Sequence, residues 1–188
     1  MNIRFTVSSL LLVFFLSANG YAKEVAGVNV PEQITLDNAT LELNGAGIRT
    51  KFFFDIYIGA LYLPQKTKEA ATAINMDGPK RVLMHFLYKK VEKEKIIEGW
   101  NDSFESNHTR EQLKALKTKL DAFNKLFVTV KRGDRIALDY LPETGTRVRI
   151  NDQIKGNIPG KTFYSALLRV WLGDDPADSG LKKAMLGK

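Results

Sequence analysis

The chain has 188 residues, 44% hydrophobic and 26% charged, with a formal net charge of +7 and no cysteine. That length and composition suit one globular domain with a sizeable core, and the lack of cysteine excludes disulfides, thiol catalysis and cysteine metal sites. The basic excess is spread out: its densest cluster, Lys89, Lys90, Lys93 and Lys95, is interrupted by Glu92 and Glu94, the pattern of a solvated surface, with weak attraction for anionic lipid headgroups as the sharper reading.

Residues 1–22 have the form of a secretory signal: Arg4 is the positive end, Phe5 to Leu16 the apolar core, and Gly20 and Ala22 the small-x-small pattern for cleavage before Lys23. The apolar run is too short for a comfortable membrane span. The expectation is therefore an exported domain over 23–188, periplasmic or secreted, with no stable span after cleavage. Short β segments follow at Val28–Val30, Ile34–Leu36 and Thr40–Leu43, with a turn at Asp37-Asn38. Gly45 to Pro64 then predicts one long central strand, stopped by the proline. Alternation along it puts Phe52, Phe54, Ile56, Ile58, Ala60 and Tyr62 on one side and Phe53, Asp55, Tyr57, Gly59, Leu61 and Leu63 on the other.

Beyond it, KEAATAIN after Thr67 predicts a short helix, and Arg81 to Tyr88 a strand with His85 beside Leu83 and Leu87. Ile96, Ile97, Trp100 and Phe104 recur at helical spacing, and Thr109 with Gln112 forms a capping box for a second helix. Phe127 to Val130 reads equally as strand or helix exit. RIALDYL, TRVRIN and QIKGNI make a β-meander, and PGKTFYSALLRVWLG a strong amphipathic helix. A short terminal helix fits Ser179 to Leu186. Strands and helices segregate, which predicts an α+β fold with one antiparallel sheet backed by helices.

Signature motifs of phosphate binding, zinc proteolysis and serine hydrolysis are missing. No RNA-binding aromatic signature or helix-turn-helix points to nucleic acid. No cofactor or metal is implied by the two histidines, His85 and His108. His85, among leucines, reads as a core or pocket-wall residue, and His108 as a solvated one. Arg49 carries more meaning. A guanidinium before an aromatic strand can hold a carboxylate or enolate with its planar fork of donors; the plain alternative is an ion pair with Asp55 or Glu42.

The stretches LNGAGIRTKFFFDIYIGALYL, EKIIEGWNDSF, GDRIALDYLPETGTRVRIN and GNIPGKTFYSALLRVWLG occur in the order found in chalcone isomerase-like proteins. From about Gly27 to Gly187 the chain resembles that family, in particular its exported bacterial branch. The resemblance implies an open-faced β-sandwich, a large sheet covered by helices around an apolar cleft. It also implies one of three activities: cyclisation of a chalcone, fatty-acid binding, or none. Arg49 matches the family's functional arginine, which holds a ligand's anionic oxygen. The enzymes' other polar groups fall on Ile56, near Lys93, near Trp100 and on Val170, with Tyr57 or Tyr88 left to fill the place of their tyrosine. An apolar cleft with one arginine suits a binder of a hydrophobic carboxylate, plausibly a fatty acid. The expected site is Arg49 with Phe54, Ile56, Tyr57, Trp100 and Val170. An isomerase acting on an enone-like substrate, and a structural envelope protein with a self-filled cleft, are the alternatives.

Overall fold

The computed structural model describes residues 22–188, so the predicted signal peptide lies outside the described residues except for Ala22. Seven strands form one antiparallel sheet in the order β11-β10-β9-β6-β5-β4-β3. In chain order its members are β3 (Gln33–Leu36), β4 (Ala39–Lys51), β5 (Phe54–Leu63), β6 (Lys80–Phe86), β9 (Arg135–Leu141), β10 (Gly145–Ile150) and β11 (Gln153–Ile158). A hairpin of β1 (Ala22–Val25) and β2 (Val28–Pro31) and a short pair, β7 (Lys90–Val91) with β8 (Val130–Lys131), stand apart from it. Phe127 to Val130 is thus mostly a connection, with only Val130 in a strand.

The helices among the described residues are α1 (Ala70–Asn75), α2 (Lys93–Asn107), α3 (Arg110–Asn124), α4 (Lys161–Leu172) and α5 (Ser179–Met185). Their apolar stripes pack on one sheet face. Ile96, Trp100 and Phe104 of α2 and Phe163, Val170 and Trp171 of α4 share a core with Tyr57, Met84, Phe86 and Leu138. The other face carries a smaller core in which Val30 meets Ile58, Ala60 and Tyr62. The α+β architecture expected from the segregated elements is what forms. Thr109 caps α3 in the predicted capping box, with Thr109 Oγ1 accepting from Gln112 N–H and the Gln112 side chain returning the bond.

The predicted single strand over Gly45–Pro64 is instead a hairpin. Phe52 and Phe53 reverse the chain between β4 and β5, with Lys51 opposite Phe54. Hydrophobic alternation hid the turn, because aromatic residues are not the residue types that mark one. Two bulges then set which side chains face the helices. The pairing runs from Leu43 with Tyr62 to Gly45 with Leu61, which leaves Asn44 as an extra residue. Leu41, Leu43 and Ala46 share the smaller core, so the one-residue slip turns Gly45, Gly47 and Arg49 toward the helices. Asn44 itself is buried: Nδ2 donates to Met185 O at 2.6 Å and Thr67 O at 3.0 Å, and Oδ1 accepts from Thr67 N–H at 2.7 Å.

Lys80 is wholly buried. Its ammonium donates to Ile74 O at 3.1 Å and Met76 O at 2.8 Å, capping the end of α1, and faces the rings of Tyr140 and Tyr164. Burial, aided by the charge of Lys161 and opposed by Asp77, brings its pKa from 10.5 down to about 8. The unfolded chain therefore binds more protons between those values, and stability rises with pH across that window. Denaturation at pH 8 and at roughly pH 9.5, below the ordinary tyrosine range, should show a gain of about 1–2 kcal/mol, since one pKa unit is worth about 1.4 kcal/mol. Lys80→Met should abolish the gain. An equal gain in the variant would refute this assignment.

Candidate functional site

Arg49 lies opposite Tyr57 in the β4–β5 ladder, and directly opposed residues place their side chains on the same face. The guanidinium carbon sits 5.8 Å from the centroid of the Tyr57 ring. Trp171 Nε1 donates to Tyr57 Oη at 2.9 Å, so the phenol's own hydrogen is free to donate elsewhere. Burial pushes the Tyr57 pKa up, opposed by the positive charge of Arg49 and the Trp171 hydrogen bond. The phenol therefore stays protonated at neutral pH.

The second bulge is at Ile56, which has no partner between the pairs Arg49–Tyr57 and Thr50–Asp55. It brings Ile56 beside Tyr57 at the cleft, although strict alternation predicts opposite faces. Arg49, Ile56, Tyr57, Trp100 and Val170 all line one inner cavity between the sheet and α2, with a volume of about 60 Å³. The groove outside it, of about 260 Å³, shares Arg49, Ile56 and Gly99 with the cavity and continues past Lys51 and Tyr88. The inner cavity alone is far below the roughly 300 Å³ of a small-ligand pocket; the groove raises the space to that scale.

Five of the six expected site residues thus converge. Phe54 does not. It is exposed, with its ring edge-on to Tyr88 at 5.5 Å, because it follows the hairpin turn and sits at the solvent end of β5. The alternative for Arg49, an ion pair with Asp55 or Glu42, does not form. Asp55 accepts from Thr50 Oγ1 at 3.1 Å, and neither it nor Glu42 reaches Arg49. Arg49 Nε is buried with no hydrogen-bond partner among the described residues, and the same holds for Trp100 Nε1. An unmet buried donor is costly, and both residues that carry one here also line the cleft.

Sequence reasoning missed the α2 row Lys95, Gly99 and Ser103, which also lines the cleft. Their i, i+4, i+8 spacing, adjoining Ile96 and Trp100, is the signal that marks them. A Cβ on Gly99 would meet nothing within 4 Å; the glycine leaves space open over the site despite a helix cost of about 1 kcal/mol. Lys93 is not among the lining residues. Tyr57 is the inner tyrosine and Tyr88 the outer one.

The glycines of GAGIR serve packing. A Cβ on Gly45 would come within 2.1 Å of Ala184 O, and one on Gly47 within 2.5 Å of Ala184 Cβ. Both glycines let α5 lie directly on β4, next to Arg49. Asp178 closes this corner: Oδ1 caps α5 by accepting from Leu181 N–H at 2.8 Å, and Oδ2 accepts from Thr50 N–H at 3.0 Å.

The family model for chalcone isomerase-like proteins matches residues 22–187. The chain belongs to the chalcone isomerase-like family. Among solved structures it is similar to a fatty-acid binding protein of Arabidopsis thaliana, at 15% identity and a TM-score of 0.68, over 89% of this chain and 96% of that one. That likeness is one of fold. No curated protein matches. Within this family fold the apolar positions Ile56, Trp100 and Val170 surround Arg49, while His85 lies on the far face. There it lines a separate cavity of about 310 Å³ with Arg81, Arg135 and Arg149, and burial and Arg135 lower its pKa. His108 is not simply solvated: its ring is half-buried and stacked on Phe104 at 5.2 Å. Neither histidine lines the cleft. Among the described residues no cluster of three or more metal-ligating side chains occurs, and no helix is long and apolar enough to cross a membrane.

Proposed function

We propose that this protein binds a hydrophobic carboxylate, with a fatty acid as the simplest candidate, without turning it over. The carrying observation is the unpaired Arg49 guanidinium in an apolar cleft. A carboxylate there would accept from Arg49 and from the Tyr57 hydroxyl, charge-assisted bonds that are the strong ones. Its hydrocarbon chain would pack along Ile56, Val91 and Gly99, the apolar side of an outer groove whose rim carries Lys90, Glu92, Glu98 and Asp102. The similar Arabidopsis thaliana structure is described as a fatty-acid binding protein, which supports the same ligand class. Against an isomerase stands the apolar identity of Ile56 and Val170, two positions where the family resemblance places polar groups of the enzymes that share a developing charge. Against a purely structural protein stands Arg49, which has no ion-pair partner among the described residues. The exported branch of the family, with removal of residues 1–22 and residence in the periplasm or outside the cell, belongs to this proposal and rests on the signal pattern alone.

Gly99→Leu is the direct test of the chain's path. The side chain enters open space on a helix, so folding should be retained, with a propensity gain of up to about 1 kcal/mol. Displacement of a fluorescent fatty acid should weaken at least about tenfold, the scale of 1.4 kcal/mol. Unchanged affinity in a folded variant would place the ligand elsewhere.

A further inference from the structure

The tip of the β4–β5 hairpin breaks two ordinary rules at once. Phe52 and Phe53 both adopt left-handed backbone angles, φ 49° and 69°, a region where a bulky residue is an outlier. The β10–β11 turn uses the same angles, 49° and 66°, but fills them with Asn151 and Asp152, residue types that tolerate them. Packing does not account for the phenylalanines: Phe53 is fully exposed, Phe52 largely so, and Phe54 more than half. Three aromatic side chains are thus held out in water on a strained turn.

Their surroundings are basic. Lys51 Nζ lies 5.7 Å from the Phe52 ring centroid, and Lys89 and Arg132 line one shallow groove with Phe53 and Phe54. None of these three cations has a carboxylate within 4.0 Å among the described residues. Of the acids nearby, Glu92 is paired with Lys90 and Glu98 with Lys95, while Asp55, in the same groove, accepts only from the Thr50 hydroxyl, which leaves three cations against one carboxylate around the tip. A second copy of this chain would bring the same unpaired cations to the patch, so like-charge repulsion disfavours self-association through it. Exposed aromatic rings ringed by unpaired cations match the interface of a bilayer, where aromatics settle at the headgroup level and basic residues meet phosphate.

We propose that the Phe52–Phe54 tip docks onto a bilayer carrying anionic lipids, burying its rings among the headgroups while Lys51, Lys89 and Arg132 face the phosphates. The proposal stands independently of what the cleft binds. Tyr88 lines both the tip groove and the outer groove of the cleft, so a docked tip would set the cleft's mouth against lipid.

The chain has no cysteine, so Phe53→Cys accepts a single environment-sensitive dye. Glu143→Cys, in the turn after β9 at the opposite end of the sheet, takes the same dye as control. With phosphatidylglycerol/phosphatidylcholine vesicles the dye at position 53 should shift to the blue and be quenched by brominated acyl chains, while the dye at 143 should do neither. The local readout separates tip docking from any lipid affinity of residues upstream of Ala22. In co-sedimentation, the paired change F52S and F53S should reduce the shortest-range part of binding by about tenfold or more. Lys89→Glu with Arg132→Glu should weaken it similarly, and raised salt should weaken the unsubstituted chain. Equal dye responses at 53 and 143, or full vesicle binding by the folded F52S and F53S variant, would overturn the proposal. So would a blue shift that needs no lipid and grows with protein concentration, since that would put a protein surface on the tip.

Discussion

Replacing Arg49 with Gln is expected to weaken long-chain fatty-acid binding by about a hundredfold, or 2.7 kcal/mol, while leaving the fold intact. The magnitude follows from losing charge-assisted hydrogen bonds, worth about 1.5–3 kcal/mol each, inside a largely apolar cleft. The fold should survive because the guanidinium has no ion pair or Nε acceptor to lose; its contact with Tyr57 is worth about 2 kcal/mol in this desolvated setting. A fatty-acid methyl ester supplies the control. It keeps the chain but not the charge, so its weaker binding should barely respond to Arg49→Gln. Titration of both ligands against both proteins would decide the matter, and equal losses for acid and ester would show that Arg49 does not read the carboxylate.

Gly45→Ala should be strongly damaging for a change of one methyl group. The new Cβ would lie 2.1 Å from Ala184 O and 2.9 Å from Met185 O, both backbone atoms that no rotamer change can move aside. Either β4 or α5 must shift. Because α5 places Leu181 and Met185 in the main core, the expected loss is about 3 kcal/mol or more. Hydrogen exchange should show α5 amides losing protection ahead of the sheet. Gly99→Ala, whose Cβ meets nothing, should be neutral or stabilising by up to about 1 kcal/mol. Comparable denaturation midpoints for Gly45→Ala and the unsubstituted protein would contradict the close seating of α5 on β4.

Much of this architecture was legible because the apolar periodicities of α2, α3 and α4 are strong and the turn at Asn151-Asp152 uses residues that name their own geometry. The hairpin at Phe52–Phe53 was not, since its turn is built from residues that read as strand. Arg49 was found by residue type and by family resemblance, yet nothing in the local pattern could say which face it occupies. That face is set by the bulge at Asn44, whose driving contacts are with Thr67 and Met185, far away in the sequence. Ile56 reached the cleft for the same reason, through a bulge that alternation cannot reveal. Phe54 was misplaced because the turn before it was missed. The Lys95, Gly99 and Ser103 row was readable as helical spacing, but small and polar residues on a helix usually mark a solvated face. The role of GAGIR was hidden for a simple reason: its glycines answer to α5, a helix more than a hundred residues downstream.

The most direct measurement is native mass spectrometry of the protein purified without delipidation, alongside Arg49→Gln prepared identically. A bound mass in the fatty-acid range on the unsubstituted protein, and its loss from the variant, is the predicted result. No retained acyl mass, together with no saturable fatty-acid binding on titration, would contradict the reading of the cleft as a carboxylate site.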